Sequence, residues 1–187
     1  MAIKIEKTFQ VAEPLDRVWT FLSDPRKVVI CVPGAQITEQ IDERNYKGSI
    51  SVKVGPSVTD YKGEIQIVRL DEQSHEMEIL GKGQDVRGIG SASMKMTGRL
   101  RALENSGTEV ISISEINVVG ILAQMGSRVI SEVSNVMFEK FTKNFQQQLQ
   151  GPESASGETT KSAAPEPISA VSVAMSALKS AITRDKK

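Results

Sequence analysis

The chain is short of the residues that most catalysis and metal binding rely on. Its 187 residues include one Cys, one His and one Trp. One Cys cannot close an internal disulfide, and one Cys with one His cannot complete a zinc site. A Cys–His dyad would use the only copy of each. Aromatic residues are scarce, with two Tyr and five Phe beside the Trp. A charge of one sign is also missing: 23 Lys plus Arg stand against 23 Asp plus Glu. No whole-chain field therefore draws the protein to nucleic acid. Residues 1–150 hold 18 basic and 19 acidic side chains, and residues 151–187 hold 5 and 4. No apolar run approaches the roughly 18 residues that mark a membrane-crossing helix. Charges at Lys4, Glu6 and Lys7 interrupt the first residues, so no signal-peptide core is expected. A cytoplasmic protein is the expectation, with peripheral contact at the inner face of the cytoplasmic membrane left open. The length suits one ordinary domain with an appendage.

What is present is alternation. Ile3, Ile5, Phe9 and Val11 share one parity, with Lys7 as the exception, which predicts a strand. Glu13-Pro14 opens a helix carrying Leu15, Val18, Trp19 and Leu22, and Asp24-Pro25 ends it. A short apolar piece, 28–32, closes on Pro33-Gly34. From 35 to about 119 the pattern is strand. Tyr46, Gly48, Ile50, Val52 and Val54 alternate with polar residues, as do Tyr61, Gly63, Ile65 and Ile67. Met77 with Ile79, and Ala92, Met94, Met96, Gly98 and Leu100, repeat the theme. Turn-forming residues at 42–45, 55–56, 71–74 and 104–107 separate these runs. Clean alternation predicts antiparallel strands with one dry and one wet face. The last run, 109–119, has apolar residues at both parities, so its inward face is not fixed.

Gly120 ends the strands, and 121–150 reads as one long helix of roughly 45 Å. Gly151-Pro152 stops it, and 151–167 has the Ser/Gly/Pro/Ala composition of a flexible linker. In the final segment, 168–187, Ile168, Val171, Met175, Leu178 and Ile182 fall within about 80° of one another on a helical wheel. This order predicts an α+β fold, a curved antiparallel sheet of about seven strands wrapped on the long helix. Slim and flexible side chains dominate the predicted inner face, and methionine adapts to irregular apolar surfaces. Such a face fits an ordinary core and also a cavity. If a ligand is held, Leu122, Met125, Gly126 and Val129 line one wall. Ile50, Val52, Tyr61, Ile65, Met77, Met94 and Met96 line the other.

Two stretches carry a family resemblance. One runs Val11-Ala12-Glu13-Pro14-Leu15-Asp16-Arg17-Val18-Trp19 to Asp24-Pro25, followed by Ile30-Cys31-Val32-Pro33-Gly34-Ala35. The other is Val119-Gly120-Ile121-Leu122-Ala123-Gln124-Met125-Gly126-Ser127-Arg128. Over 1–150 the chain resembles the CoxG family of carbon monoxide dehydrogenase accessory proteins, within the START-like (SRPBCC), helix-grip superfamily. The resemblance implies a non-catalytic accessory protein of a molybdenum-hydroxylase-type dehydrogenase. It implies roles in membrane recruitment and in handling a lipophilic electron acceptor, an isoprenoid quinone. No metal or covalent cofactor is implied. Tyr61, Asn117 and Gln124 then become candidates to hydrogen-bond a quinone carbonyl. The stripe from Ile168 to Ile182 becomes a candidate partner- or membrane-binding element.

Other chemistry-bearing residues have plainer readings. His75 follows a turn and is expected to be solvated, and Cys31 sits in an apolar run as a buried thiol. Gly81-Lys82-Gly83 and Gly88-x-Gly90 lack the Lys-Ser/Thr and following helix of a phosphate loop. Asp60, Asp85, Glu109 and Glu115 are assigned to the wet face. Two alternatives to a ligand carrier stay open. One is a cyclase-like enzyme of the same superfamily with an acid–base pair in the pocket. The other is an adaptor with a filled core.

Overall fold

The computed structural model describes residues 1–55 and 57–151. The linker expected after Gly151 and the stripe Ile168–Ile182 lie outside the described residues. The elements run β1 (Ala2–Val11), α1 (Leu15–Leu22), α2 (Pro25–Cys31), β2 (Ala35–Gln40), β3 (Asn45–Val54) and β4 (Ser57–Asp71). They continue through β5 (Glu76–Asp85), β6 (Gly90–Ala102), β7 (Thr108–Gly120), α3 (Ile121–Gln124) and α4 (Ser127–Gln150). The strands form one seven-stranded sheet in the order β1-β7-β6-β5-β4-β3-β2. Every pairing is antiparallel. The sheet is the expected meander, and the first strand joins it beside the last.

Local chemistry starts and ends the helices as the sequence suggests. Pro14 precedes α1, and its carbonyl accepts the N–H groups of Arg17 and Val18 at 3.1 Å. The Asp24 carboxylate caps α2 by accepting the Arg26 N–H at 3.0 Å, with Pro25 in the first turn. Both short helices are tied to α4. The Arg17 guanidinium donates to the Leu149 carbonyl at 2.6 Å, a cation on a last-turn acceptor. The Asn144 amide donates to the Cys31 carbonyl at 3.1 Å.

The expected single helix over 121–150 is interrupted. α3 ends at Gln124, and Gly126 takes φ 84° and ψ 160° before α4 begins. That backbone conformation belongs almost to glycine alone. Gly126 is thus a corner and not a close approach to the sheet, since a Cβ there would meet nothing within 4 Å. Gly120 makes the preceding corner at φ 91°. A Cβ on it would stand 2.1 Å from the Ile89 carbonyl oxygen.

The buried core lies at one end of the described domain. Val11, Val18, Trp19, Cys31, Met77, Leu100, Val110, Phe145 and Leu149 form one cluster, with Phe9, Phe21 and Phe141 packed on it. Phe145 stacks on Phe141 at 5.7 Å and meets Phe9 and Phe21 edge-on at 5.8 and 5.1 Å. Phe138 also meets Phe9 edge-on, at 5.7 Å. All five Phe and the Trp are therefore spent on seating the second half of α4. Lys7, the polar exception in β1, faces the same side. Its ammonium lies 5.3 Å from the Phe138 ring centre and donates to the Asn135 amide oxygen.

Candidate ligand-binding site

Register defines the face that looks toward α4. One cross-strand row reads Tyr46–Ile65–Gly81–Met94–Ile116–Ile3, and the next reads Ile67–Ile79–Met96–Ser114–Ile5. On the other side of the first row lies Gly48–Gly63–Gly83–Ala92–Val118, which carries no side chain on three adjacent strands. Beyond it, Ile50, Tyr61 and Asp85 stand side by side.

These apolar rows are not sealed. α4 lies nearest α2, β1 and β3. Ile3, Ile5, Met94, Met96 and Ile116 face the helix side and remain half-exposed, and Ile65 is 36% exposed. Apolar side chains on the helix-facing side of mid-sheet would be buried if α4 closed on them. Their exposure describes an open apolar groove between the sheet and the α3–α4 segment. Slim residues floor it, because the large aromatics are all at the other end.

The candidate residues divide accordingly. Ile50, Val52, Ile65, Met94 and Met96 lie along the groove side of β3, β4 and β6, and Leu122 and Val129 are half-buried on α3 and α4. Tyr61 is buried at the groove's end, and Met125 is 37% exposed beside the Gly126 corner. Met77 instead belongs to the closed core, with its side chain packed over Gly98. Asn117 is a correction. It faces away from α4, is exposed, and accepts a hydrogen bond from the Met1 amine at 3.3 Å. In β7 the inward residues are Val110, Ser112, Ser114, Ile116 and Val118. Ile111 and Ile113, on the outer face, mask that parity in the sequence. Two shallow outer depressions of about 320 and 520 Å³ share Lys82, Ser93 and Asn117 and lie on the side away from α4.

Asp85 is the second correction. It is not on the wet face: its side chain is 1% exposed and pairs in register with Tyr61. Oδ1 accepts the Arg87 N–H at 2.7 Å and caps the β5–β6 turn. Oδ2 has no hydrogen-bond partner among the described residues. A sequence signal for this exists, since counting by two from Met77 through Ile79 reaches Asp85. Burial, and after it the Asp85 charge, pushes the Tyr61 phenol above its usual range, so it stays a donor.

The remaining polar candidates have structural surroundings. His75 packs edge-on against Trp19 at 5.3 Å. Cys31 is fully buried, and burial pushes its thiol up to about 11. Among the described residues no group of three His, Cys, Asp or Glu is placed to hold a metal. No helix there is long and apolar enough to cross a membrane.

A curved antiparallel sheet gripping a C-terminal helix over an apolar groove defines a START-like, helix-grip protein. The chain belongs to the carbon monoxide dehydrogenase CoxG family, which it matches over residues 8–150. It is similar to a conserved protein from Geobacillus kaustophilus, with a TM-score of 0.71 and 20% identity, covering 79% of this chain and 95% of that one. A START superfamily protein from Mycobacterium smegmatis aligns with a TM-score of 0.55 and 10% identity, over 79% and 97% of the two chains. An aromatase/cyclase, ZhuI, from Streptomyces sp. R1128 aligns with a TM-score of 0.51 and 14% identity, over 80% and 92%. These likenesses establish the fold. No curated protein matches the chain.

Proposed function

We propose that this chain is a non-catalytic accessory protein that holds a lipophilic small molecule, such as an isoprenoid quinone, in the groove between the sheet and the α3–α4 segment. Its partner on this reading is a molybdenum-hydroxylase-type dehydrogenase of the carbon monoxide dehydrogenase kind, in keeping with its family. The observation that carries the ligand reading is the half-exposed row of Ile3, Ile5, Ile65, Met94, Met96 and Ile116 facing the helix side. Exposed apolar surface of this continuity marks a binding groove. Native mass spectrometry of the full chain, isolated without detergent, tests it. A retained or readily acquired quinone at one per chain is expected, and failure to bind any quinone after incubation contradicts the carrier role.

Membrane contact at the cytoplasmic face is part of the proposal, and the hairpin end of the sheet supports it. Val58, Val86, Ile89, Ile121 and Met125 are exposed there. Residues 53–58, 86–89 and 119–128 contain Lys53, Arg87 and Arg128 but no Asp or Glu. The turns at the opposite end carry Asp42, Glu43, Asp71, Glu72 and Glu104. An apolar and cationic tip suits an anionic lipid surface. The C-terminal stripe, Ile168, Val171, Met175, Leu178 and Ile182, is proposed to dock the partner enzyme. A pulldown of the dehydrogenase that weakens when Val171 and Leu178 become Asp would support that role.

The buried Tyr61–Asp85 pair also favours a second reading, acid–base catalysis on a small apolar substrate. In that case Tyr61→Phe and Asp85→Asn abolish turnover of a substrate that the parent converts.

A further inference from the structure

We propose that Asp85 receives a hydrogen-bond donor from the ligand, so that the groove selects apolar molecules with a hydroxyl-bearing head over equally apolar ones without it. This rests on the reading that the groove holds an apolar ligand.

Three features converge on Asp85. Its side chain is 1% exposed, a condition that carboxylates almost never meet without partners. Only one of its oxygens is used: Oδ1 takes the Arg87 N–H, and Oδ2 finds no donor among the described residues. Arg87 does not resolve this. Its Nε lies 3.8 Å from Oδ1, beyond hydrogen-bond reach, and its side chain is 59% exposed. Finally, register points Asp85 to the helix side, next to Gly83 and across from Tyr61. The neighbouring row of Gly48, Gly63, Gly83 and Ala92 leaves no bulky side chain between this pair and the Ile65–Met94 row.

The chemistry of the pair sets the preference. An ionised carboxylate only accepts hydrogen bonds. It rewards a hydroxyl and repels a bare carbonyl or ether oxygen. The Tyr61 phenol remains protonated and can donate to the oxygen of the same hydroxyl. One head group thus satisfies both residues, giving with one and receiving with the other. The turn-capping role of Asp85 needs Oδ1 alone, and Asn would preserve it. The two roles are therefore separable by one substitution.

The test uses the full chain and two matched probes, 4-nonylphenol and its methyl ether, titrated by calorimetry. The parent should bind the phenol about tenfold more tightly, a gap of ~1.4 kcal/mol. Asp85→Asn should bring the ratio close to one, with an unchanged circular dichroism spectrum. Equal affinities in the parent, or a ratio unchanged in the variant, overturns the role of Asp85 while leaving the groove in place. Binding of neither probe overturns the groove reading and this inference together. A measurement on the parent stands even if the variant fails to fold. Infrared difference spectra should show a shifted carboxylate band with the phenol and not with the ether, and no shift with the phenol overturns the proposal.

Discussion

Single residues divide this molecule into a closed end and an open one. Phe145 is fully buried among Phe9, Phe21 and Phe141. Phe145→Ala removes the centre of that aromatic cluster and should cost about 3–5 kcal/mol of stability, read from urea denaturation. Met94→Ala on the half-exposed row should cost much less, because its site is already partly solvated. Cys31 supplies a pH prediction. Its thiol is held near 11 in the folded chain against an ordinary value of 9.0. Between those values the unfolded chain releases a proton that the folded chain keeps. The contribution of this group is complete below pH ~9 and is lost as pH rises toward 11. The Cys31→Ala variant should show a shallower loss of stability across that window. Thiol labelling of the native parent at pH 8 should be slow, and rapid once it is unfolded.

At the level of elements, the strands were legible because an antiparallel sheet with one wet face writes a period of two into the sequence. Tyr46 to Val54 and Ala92 to Leu100 show this directly. The same rule, carried past Gly81 and Gly83, places Asp85 inward. It was obscured because an acidic residue beyond two glycines resembles a turn. β7 could not be read, since Ile111 and Ile113 lie outside against Arg99 and Thr97 of the next strand. Arginine stems can cover such residues without burying them in a core. The break at Gly126 was illegible because apolar residues continue at helical spacing on both sides of it. Both corner glycines are testable. Gly126→Ala meets open space but a strained backbone, so it should cost about 1–3 kcal/mol. Gly120→Ala adds a collision with the Ile89 carbonyl and should cost more. Chemical denaturation of the two variants checks that order.

For the whole of the described domain, scarcity of aromatics proves to be a matter of distribution. The few large rings anchor α1 and the second half of α4, and the groove is left to Ile, Val, Met and Gly. Charge is distributed in the same spirit. The even total conceals a hairpin end that is cationic and apolar and a far end whose turns are acidic. Val86 and Ile89 are 50% and 42% exposed at the first of these. Replacing both with Asp should lower binding of the full chain to phosphatidylglycerol-containing vesicles about tenfold, judged by co-flotation. The fold should tolerate the change because neither side chain is in the core. Unchanged flotation would remove the hairpin end from any membrane role.

The central claim is that a lipophilic ligand occupies the groove along β6. Methionines report on it directly, since Met94 and Met96 line that groove while Met77 is sealed in the core. Methyl-labelled methionine spectra of the full chain, recorded during titration with a soluble short-chain quinone, separate these positions. The account predicts saturable shifts of the Met94 and Met96 methyl signals at one ligand per chain, with Met77 nearly unmoved. Saturation that leaves Met94 and Met96 unmoved, or no saturable shift at any methionine, would contradict it.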